Sequence, residues 1–340
     1  MLDIEVKTYM KINCRFEGGA GDCLLAARFL PAIKEKHPDS SIHIFVDSAG
    51  KSFQADALKF AYGHLFDSIE IIGSKKYDEF WVNTQFGADN FYGALENVPD
   101  VIRARMTQDC DKFYDLHIDG LKWTTYDFDW LRYFYFFPAP RIDGVEDFLK
   151  GRDIPTDYVV AHLHSATSVG HRLEPFYVEG LLERLSKFTH VVVIATDETK
   201  NLYPKLENVT ILIDSVENVF RAIKGARAMV STDSGFRYIA YGCGVPTITF
   251  SANCYAPNQV PVSHMVRWLM FTNQTFPLNY SFTFVAKMIQ GILKDKGAAL
   301  APYVQNYNNE FVNRDYRIIE DRCKLAANKN LTASAGILEG

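Results

Sequence analysis

The sequence predicts an α/β protein made of two doubly wound halves, each a parallel sheet with helices on its faces. Three observations carry this expectation. Short β-branched runs alternate with stretches of helical spacing along most of the chain, the pattern of strand–helix–strand units. The chain has 340 residues, more than one hydrophobic core usually supports. A stretch mixing Pro, Gly and charge, 138–157, separates two runs of alternation and reads as a linker. The expected organisation is an N-terminal domain over 1–140, a linker over 141–156 and a C-terminal domain over 157–295. A tail over 296–340 either packs on the body or is partly disordered.

The elements follow in order. A strand over 11–16 runs into a glycine loop, Glu17-Gly18-Gly19-Ala20-Gly21-Asp22, and then a helix over 24–36 that Pro31 kinks or splits. A strand over 41–46, a helix over 51–62 and a strand over 68–72 continue the alternation. The middle yields strands over 77–82 and 113–118, a helix over 99–106 and an aromatic run over 123–137. That run reads either as core packing or as a platform on which sugar rings or bases stack. Beyond the linker come strands over 158–163, 190–195, 209–213, 228–231 and 247–250. Helices over 175–187, 216–224, 236–241 and 282–293 alternate with them.

Composition narrows the function. Hydrophobic residues make up 48% and charged residues 23%, an ordinary globular balance. A formal net charge of −5 argues against coating DNA or an anionic membrane. The six cysteines form no C-x-x-C pair and have no zinc spacing, so they read as buried thiols in a reducing compartment. The first residues lack a signal-peptide layout, and no apolar run is long enough to span a bilayer. A cytoplasmic protein is expected, with peripheral membrane contact left open.

Two glycine-bearing junctions are predicted at strand C-terminal ends, where open α/β sheets bind ligands. Ser231-Thr232-Asp233-Ser234-Gly235 leaves one strand and enters a helix. Its hydroxyls and backbone N–H groups suit an anion, and its Asp and Ser equally suit a helix cap. At the other junction Gly21 lets substrate approach the backbone, and Asp22 reads either as a general base or as a cap. The polar stretch His162-Leu163-His164-Ser165-Ala166-Thr167-Ser168-Val169-Gly170-His171-Arg172 ends in a cation suited to a leaving diphosphate. His162 and His164 share a strand face, but no Cys or carboxylate stands near enough in sequence to complete a metal set. Asp197-Glu198 follows a strand, where an acidic residue binds ribose hydroxyls or caps a helix. Asp109-Cys110-Asp111 and Asp127-Phe128-Asp129 carry D-x-D patterns, neither after a clear strand.

These motifs resemble those of the heptosyltransferase-like glycosyltransferases, the family 9-like enzymes. The resemblance covers about residues 11–295. It includes the Gly-rich loop ending in Gly21-Asp22, a Pro-x-x-x-I-x-x-x-x-D continuation from Pro38 to Asp47, and the polar loop from His164 to Arg172. It also includes Asp233-Ser234-Gly235 with Ile239-Ala240 and Gly244-Val245-Pro246-Thr247, similar to the family's D-S-G-x-x-H-[LI]-A … G-x-P-[TV] signature. The resemblance implies the GT-B architecture: two Rossmann-like domains facing across a cleft, the second holding a nucleotide-diphosphate sugar. It implies an inverting transferase that needs no catalytic metal and no cofactor beyond its donor substrate.

By position, Asp22 becomes the catalytic base. Gly21, His164, Ser165, His171, Arg172, Glu198, Thr232, Asp233, Ser234, Gly235 and Tyr238 become donor-binding residues. Tyr238 stands where the signature has His; a Tyr hydroxyl donates to phosphate but carries no charge at neutral pH. No Lys precedes Arg172, and Leu173-Glu174-Pro175 replaces the usual Trp-Pro. The expected acceptor is a hydroxyl on a glycan. The alternatives are a hydroxymethylpyrimidine base in DNA, a relative that binds nucleotide sugar without catalysis, and a GT-B-type epimerase.

Overall fold

The computed structural model describes residues 9–47, 52–72, 98–116, 126–128, 137–164, 173, 175–232, 234–251, 266–270 and 278–295. Two parallel sheets organise them. The first has the order β3-β2-β1-β4, from β1 (Lys11–Glu17), β2 (Ser41–Asp47), β3 (Ser68–Ile72) and β4 (Lys112–Leu116). Its helices are α1 (Ala20–Ala26), α2 (Leu30–Lys36), α3 (Phe53–Tyr62) and α4 (Asp100–Gln108). A 3-10 turn, Ala27–Phe29, joins α1 to α2, and Pro31 sits in the first turn of α2. The split expected at Pro31 is thus a tightened turn just before it, where the missing N–H of proline breaks the least.

The second sheet has the order β10-β9-β8-β5-β6-β7. Its strands are β5 (Tyr158–His162), β6 (His190–Ile194), β7 (Val209–Leu212), β8 (Ala228–Thr232), β9 (Thr247–Ser251) and β10 (Val266–Met270). With them come α5 (Val145–Gly151), α6 (Pro175–Leu185), α7 (Val216–Gly225), α8 (Phe236–Gly242) and α9 (Leu278–Asp295). Strand β5 is buried at every residue. Tyr158 and Val160 face one core cluster, Val159 and Ala161 another. Burial on both faces is why such strands read as unbroken apolar runs rather than as alternation.

The stretch between the sheets is more structured than a linker composition suggests. Helix α5 lies within it, entered through Gly144 in the left-handed region at φ 72°, a conformation glycine adopts at little cost. Ile142, Phe148, Leu149 and Ile154 are buried. Helix α7 also grips the chain here: Lys224 Nζ donates to the Ile142 carbonyl at 2.6 Å and Arg221 Nε to that of Asp143 at 2.9 Å. One contiguous cluster of buried side chains includes Ile12 and Phe16 of β1, Leu58 of α3, Phe220 of α7 and Val192 of β6. Rings cross between the halves, with Phe60 and Phe220 centroids 6.1 Å apart and Phe53 and Phe236 6.4 Å apart.

The described part of the aromatic run is core. Tyr126 and Phe128 stack at 5.1 Å, and both pack on Phe29 and Tyr114. The strand expected over 77–82 lies outside the described residues, as does the tail over 296–340. Among the described residues, no helix is long and apolar enough to cross a membrane. Cys14, Cys23, Cys110 and Cys243 are free thiols.

Candidate functional site

Both sheets have a topological switch point, where strand order reverses and loops diverge to leave a crevice. In the first it falls between β1 and β4, in the second between β5 and β8. The first turn of α1, directly after β1, carries Gly21 and Asp22, and the turn after β8 carries Ser234 and Gly235. The two turns touch. A Cβ built on Gly235 lies 2.7 Å from both the N and the Cα of Gly21, and one built on Gly21 lies 3.1 Å from the Gly235 Cα. Neither glycine has a positive φ. Glycine is therefore required by the close approach of two backbones. The first turns of α1 and α8 meet at this contact.

Asp22 sits at the third position of α1, half-buried, and its Oδ2 accepts the Gly19 N–H at 2.8 Å. The carboxylate therefore stabilises its own helix start from the third position, reaching back to the N-cap residue Gly19, whereas the cap reading puts Asp22 itself at the N-cap. The same carboxylate stands beside Cys23, whose thiol is pushed well up by burial and then by Asp22, Glu17 and Asp47. Under this corner lies a buried ionic group. Arg15 reaches Glu17 at 2.6 Å, Asp47 at 2.8 Å and Asp115 at 3.4 Å. Burial alone lowers the Arg15 pKa, but Glu17, Asp115 and Asp47 outweigh it and raise it. They lie at or within two residues of the C-terminal ends of β1, β2 and β4 and fix the strand edge from which the helix turn of Asp22 springs.

On the other side, Ser231 and Thr232 are buried at the end of β8, and Ser234 is half-buried beyond them. Thr232 Oγ1 donates to the His162 carbonyl at 3.4 Å and so ties β8 to β5. Ser234 Oγ lies 2.9 Å from His162 Nδ1 and 3.3 Å from Ser231 Oγ. Of the expected donor-site hydroxyls, Thr232 is committed to a strand carbonyl while Ser234 stands nearer solvent. Tyr238 is buried one turn into α8. Its hydroxyl accepts from Arg237 Nη2 at 2.7 Å, and its ring stacks on Phe137 at 5.5 Å. The buried Arg237 guanidinium also lies over that ring, 4.8 Å from its centroid. Sequence reasoning passed over Arg237; its signal was a charged residue in an otherwise apolar helix.

Other expected site residues fall elsewhere. His164 is buried, its Nδ1 2.9 Å from the Tyr203 hydroxyl, so it and His162 engage different partners. Glu198 is fully exposed in the turn after β6; its pKa is lowered by a hydrogen bond with Thr196, and Asp197 pairs with Lys200 at 2.8 Å. Ser165, His171, Arg172 and Asp233 lie outside the described residues. Of the D-x-D carboxylates, Asp111 and Asp127 sit at the opposite strand edge, and Asp129 lies outside the described residues. Asp127 accepts from Tyr114 at 2.7 Å and pairs with Lys112 and with Lys36, the latter at 2.9 Å. Burial raises its pKa, and these hydrogen bonds hold it well below the carboxylate range. Asp111 Oδ2 accepts the Lys11 N–H at 2.7 Å. Among the described residues, no group of three or more His, Cys, Asp or Glu is placed to hold a metal.

Two parallel sheets, with apposed glycine loops at their switch points, define the class: a GT-B-type α/β protein. Solved structures give the particular likeness. The chain is similar to a glycosyl transferase family 9 protein from Veillonella parvula, 13% identical over 84% of this chain and 98% of that one, with a TM-score of 0.59. It is similar to the E. coli ADP-heptose LPS heptosyltransferase II, 12% identical over 85% and 100% of the two chains, TM-score 0.60. A third is E. coli heptosyltransferase WaaC with ADP, 15% identical over 82% and 99%, TM-score 0.54. The chain has the fold of these heptosyltransferases. No protein-family model and no curated protein matches the sequence.

Proposed function

We propose that the protein is an inverting, metal-independent glycosyltransferase that moves a sugar from a nucleotide-diphosphate donor to an acceptor hydroxyl, with a glycan as the acceptor class. The observation that carries this reading is the Gly21–Gly235 contact. It sets the helix turn that carries Asp22 against the turn that carries Ser234, in a fold shared with heptosyltransferases. The division into acceptor-side residues 1–140 and donor-side residues 157–295 belongs to the same proposal.

In the proposed reaction Asp22 takes the proton of the acceptor hydroxyl as its oxygen attacks the anomeric carbon. The bond from that carbon to the donor phosphate oxygen breaks, and the nucleoside diphosphate leaves from the opposite face with the electron pair. The Ser234 hydroxyl, the backbone N–H groups about Gly235, and His171 or Arg172 meet the charge that develops on the diphosphate. Helix α8 has only seven residues, so the hydroxyl and the cation carry more of this role than a helix dipole. Glu198 is the proposed ribose partner. Metal independence is supported by Asp111 and Asp127, which are tied to a backbone N–H and to lysines at the far edge of the first sheet.

Asp22→Asn tests the proposal. Turnover should fall by about 10²–10⁴-fold, the range for loss of a general base, while nucleoside diphosphate affinity stays within about twofold. Near-normal turnover rules out Asp22 as the base.

A further inference from the structure

Strand register sets His162, the last residue of β5, directly beside Ser231 of β8, at the switch point of the second sheet. Its imidazole is buried, and its ring meets Phe236 edge to face, with centroids 4.9 Å apart at 84°. Counting protons gives the direction of every bond in this cluster. Ser231 donates its one hydroxyl proton to the Thr232 carbonyl at 2.7 Å. In its 3.3 Å contact with Ser234 it therefore accepts, and Ser234 donates. Ser234 has no second proton, so its 2.9 Å contact with His162 is a bond donated by Nδ1–H. The imidazole is thereby assigned as the Nδ1–H tautomer. Burial, with a smaller contribution from His164, pushes its pKa down to about 4, so it is neutral at pH 7.

We infer that His162 is a positioning residue for a nucleoside diphosphate: its Nδ1–H anchors Ser234 Oγ at the edge of β8, leaving the Ser234 proton to swing from Ser231 to an anionic oxygen. The inference rests on the reading of this crevice as a nucleotide-sugar site. Ser234 keeps one accepted bond in both positions, so the swing costs only its weak bond to Ser231. The bond from His162 also polarises the hydroxyl and strengthens its donation outward. Phe236, in the first turn of α8, fixes the ring plane and hence the direction of the anchor.

The test is a calorimetric titration with UDP, ADP and GDP of the wild type, Ser234→Ala, His162→Gln, His162→Asn and the Ser234→Ala/His162→Gln pair. For whichever diphosphate binds the wild type, Ser234→Ala should weaken binding about 5–10-fold, the worth of one net hydrogen bond. His162→Gln should lose as much, because its amide extends past the Nδ1 position. His162→Asn, whose amide N–H overlies Nδ1, should stay within about twofold. The double variant should bind no more weakly than Ser234→Ala alone, as expected of two residues acting through one bond. The inference is overturned if His162→Gln binds like the wild type while Ser234→Ala does not. It is equally overturned if His162→Asn is as weak as His162→Gln, or if the double variant multiplies the two losses. Should none of the three diphosphates bind the wild type, the nucleotide-site reading itself fails, and the inference fails with it.

Discussion

At the scale of single residues, burial decides what the polar groups of the crevice can do. The His162 pKa is lowered in the folded protein to about 4 from 6.5, so between those values the unfolded chain binds more protons and stability falls as pH drops. Above pH 6.5 this contribution is complete. Urea unfolding from pH 7 to 4 should therefore show a decline that His162→Asn reduces; an unchanged pH slope in the variant contradicts the assignment. Tyr238 makes a separate case. Its hydroxyl accepts from the buried Arg237 guanidinium, so Tyr238→Phe should cost about 1.5–3 kcal/mol, the range for a hydrogen bond to a charged group, read from urea midpoints. Both residues were visible in the sequence, and neither role was. Ser234 lies 72 positions from His162, and a pairing so distant is created only by strand register.

At the scale of elements, the apposed glycine loops carry the sharpest requirement. A Cβ at Gly235 meets the Gly21 backbone at 2.7 Å, which cannot rotate aside, whereas one at Gly21 starts from 3.1 Å. Gly235→Ala should destabilise by about 1–3 kcal/mol, as overpacking does, and Gly21→Ala by less, in chemical denaturation of both. The reverse ranking contradicts this geometry. Most elements were legible beforehand because parallel strands covered on both faces are β-branched runs bounded by polar turns, and the observed ends of β5 to β9 differ by about a residue. Two elements were not. Strand β10 is apolar except for Arg267, but five such residues do not by themselves distinguish a strand from a buried helix segment. Helix α5 is seven residues long and starts from a left-handed Gly144 instead of a side-chain cap, inside a stretch whose composition reads as linker.

At the scale of the whole molecule, the two halves are not independent bodies. Side chains of β1, α3, α7 and β6 belong to one contiguous buried cluster, so heating should give one transition with coincident fluorescence and circular dichroism midpoints. Two resolved transitions contradict a shared core. The same convergence gives the proposed activity its setting, since Asp22 comes from one sheet and Ser234 from the other. The sequence showed both loops and the resemblance that joins them, but not that they touch, because the contact depends on how the sheets pack. The central claim is tested most directly by incubating the protein with a panel of nucleotide sugars, with and without polyhydroxylated glycan acceptors, and measuring released nucleoside diphosphate. The account predicts release from one donor only when an acceptor is present. Turnover of a donor without any acceptor, or none from any donor that binds, contradicts it.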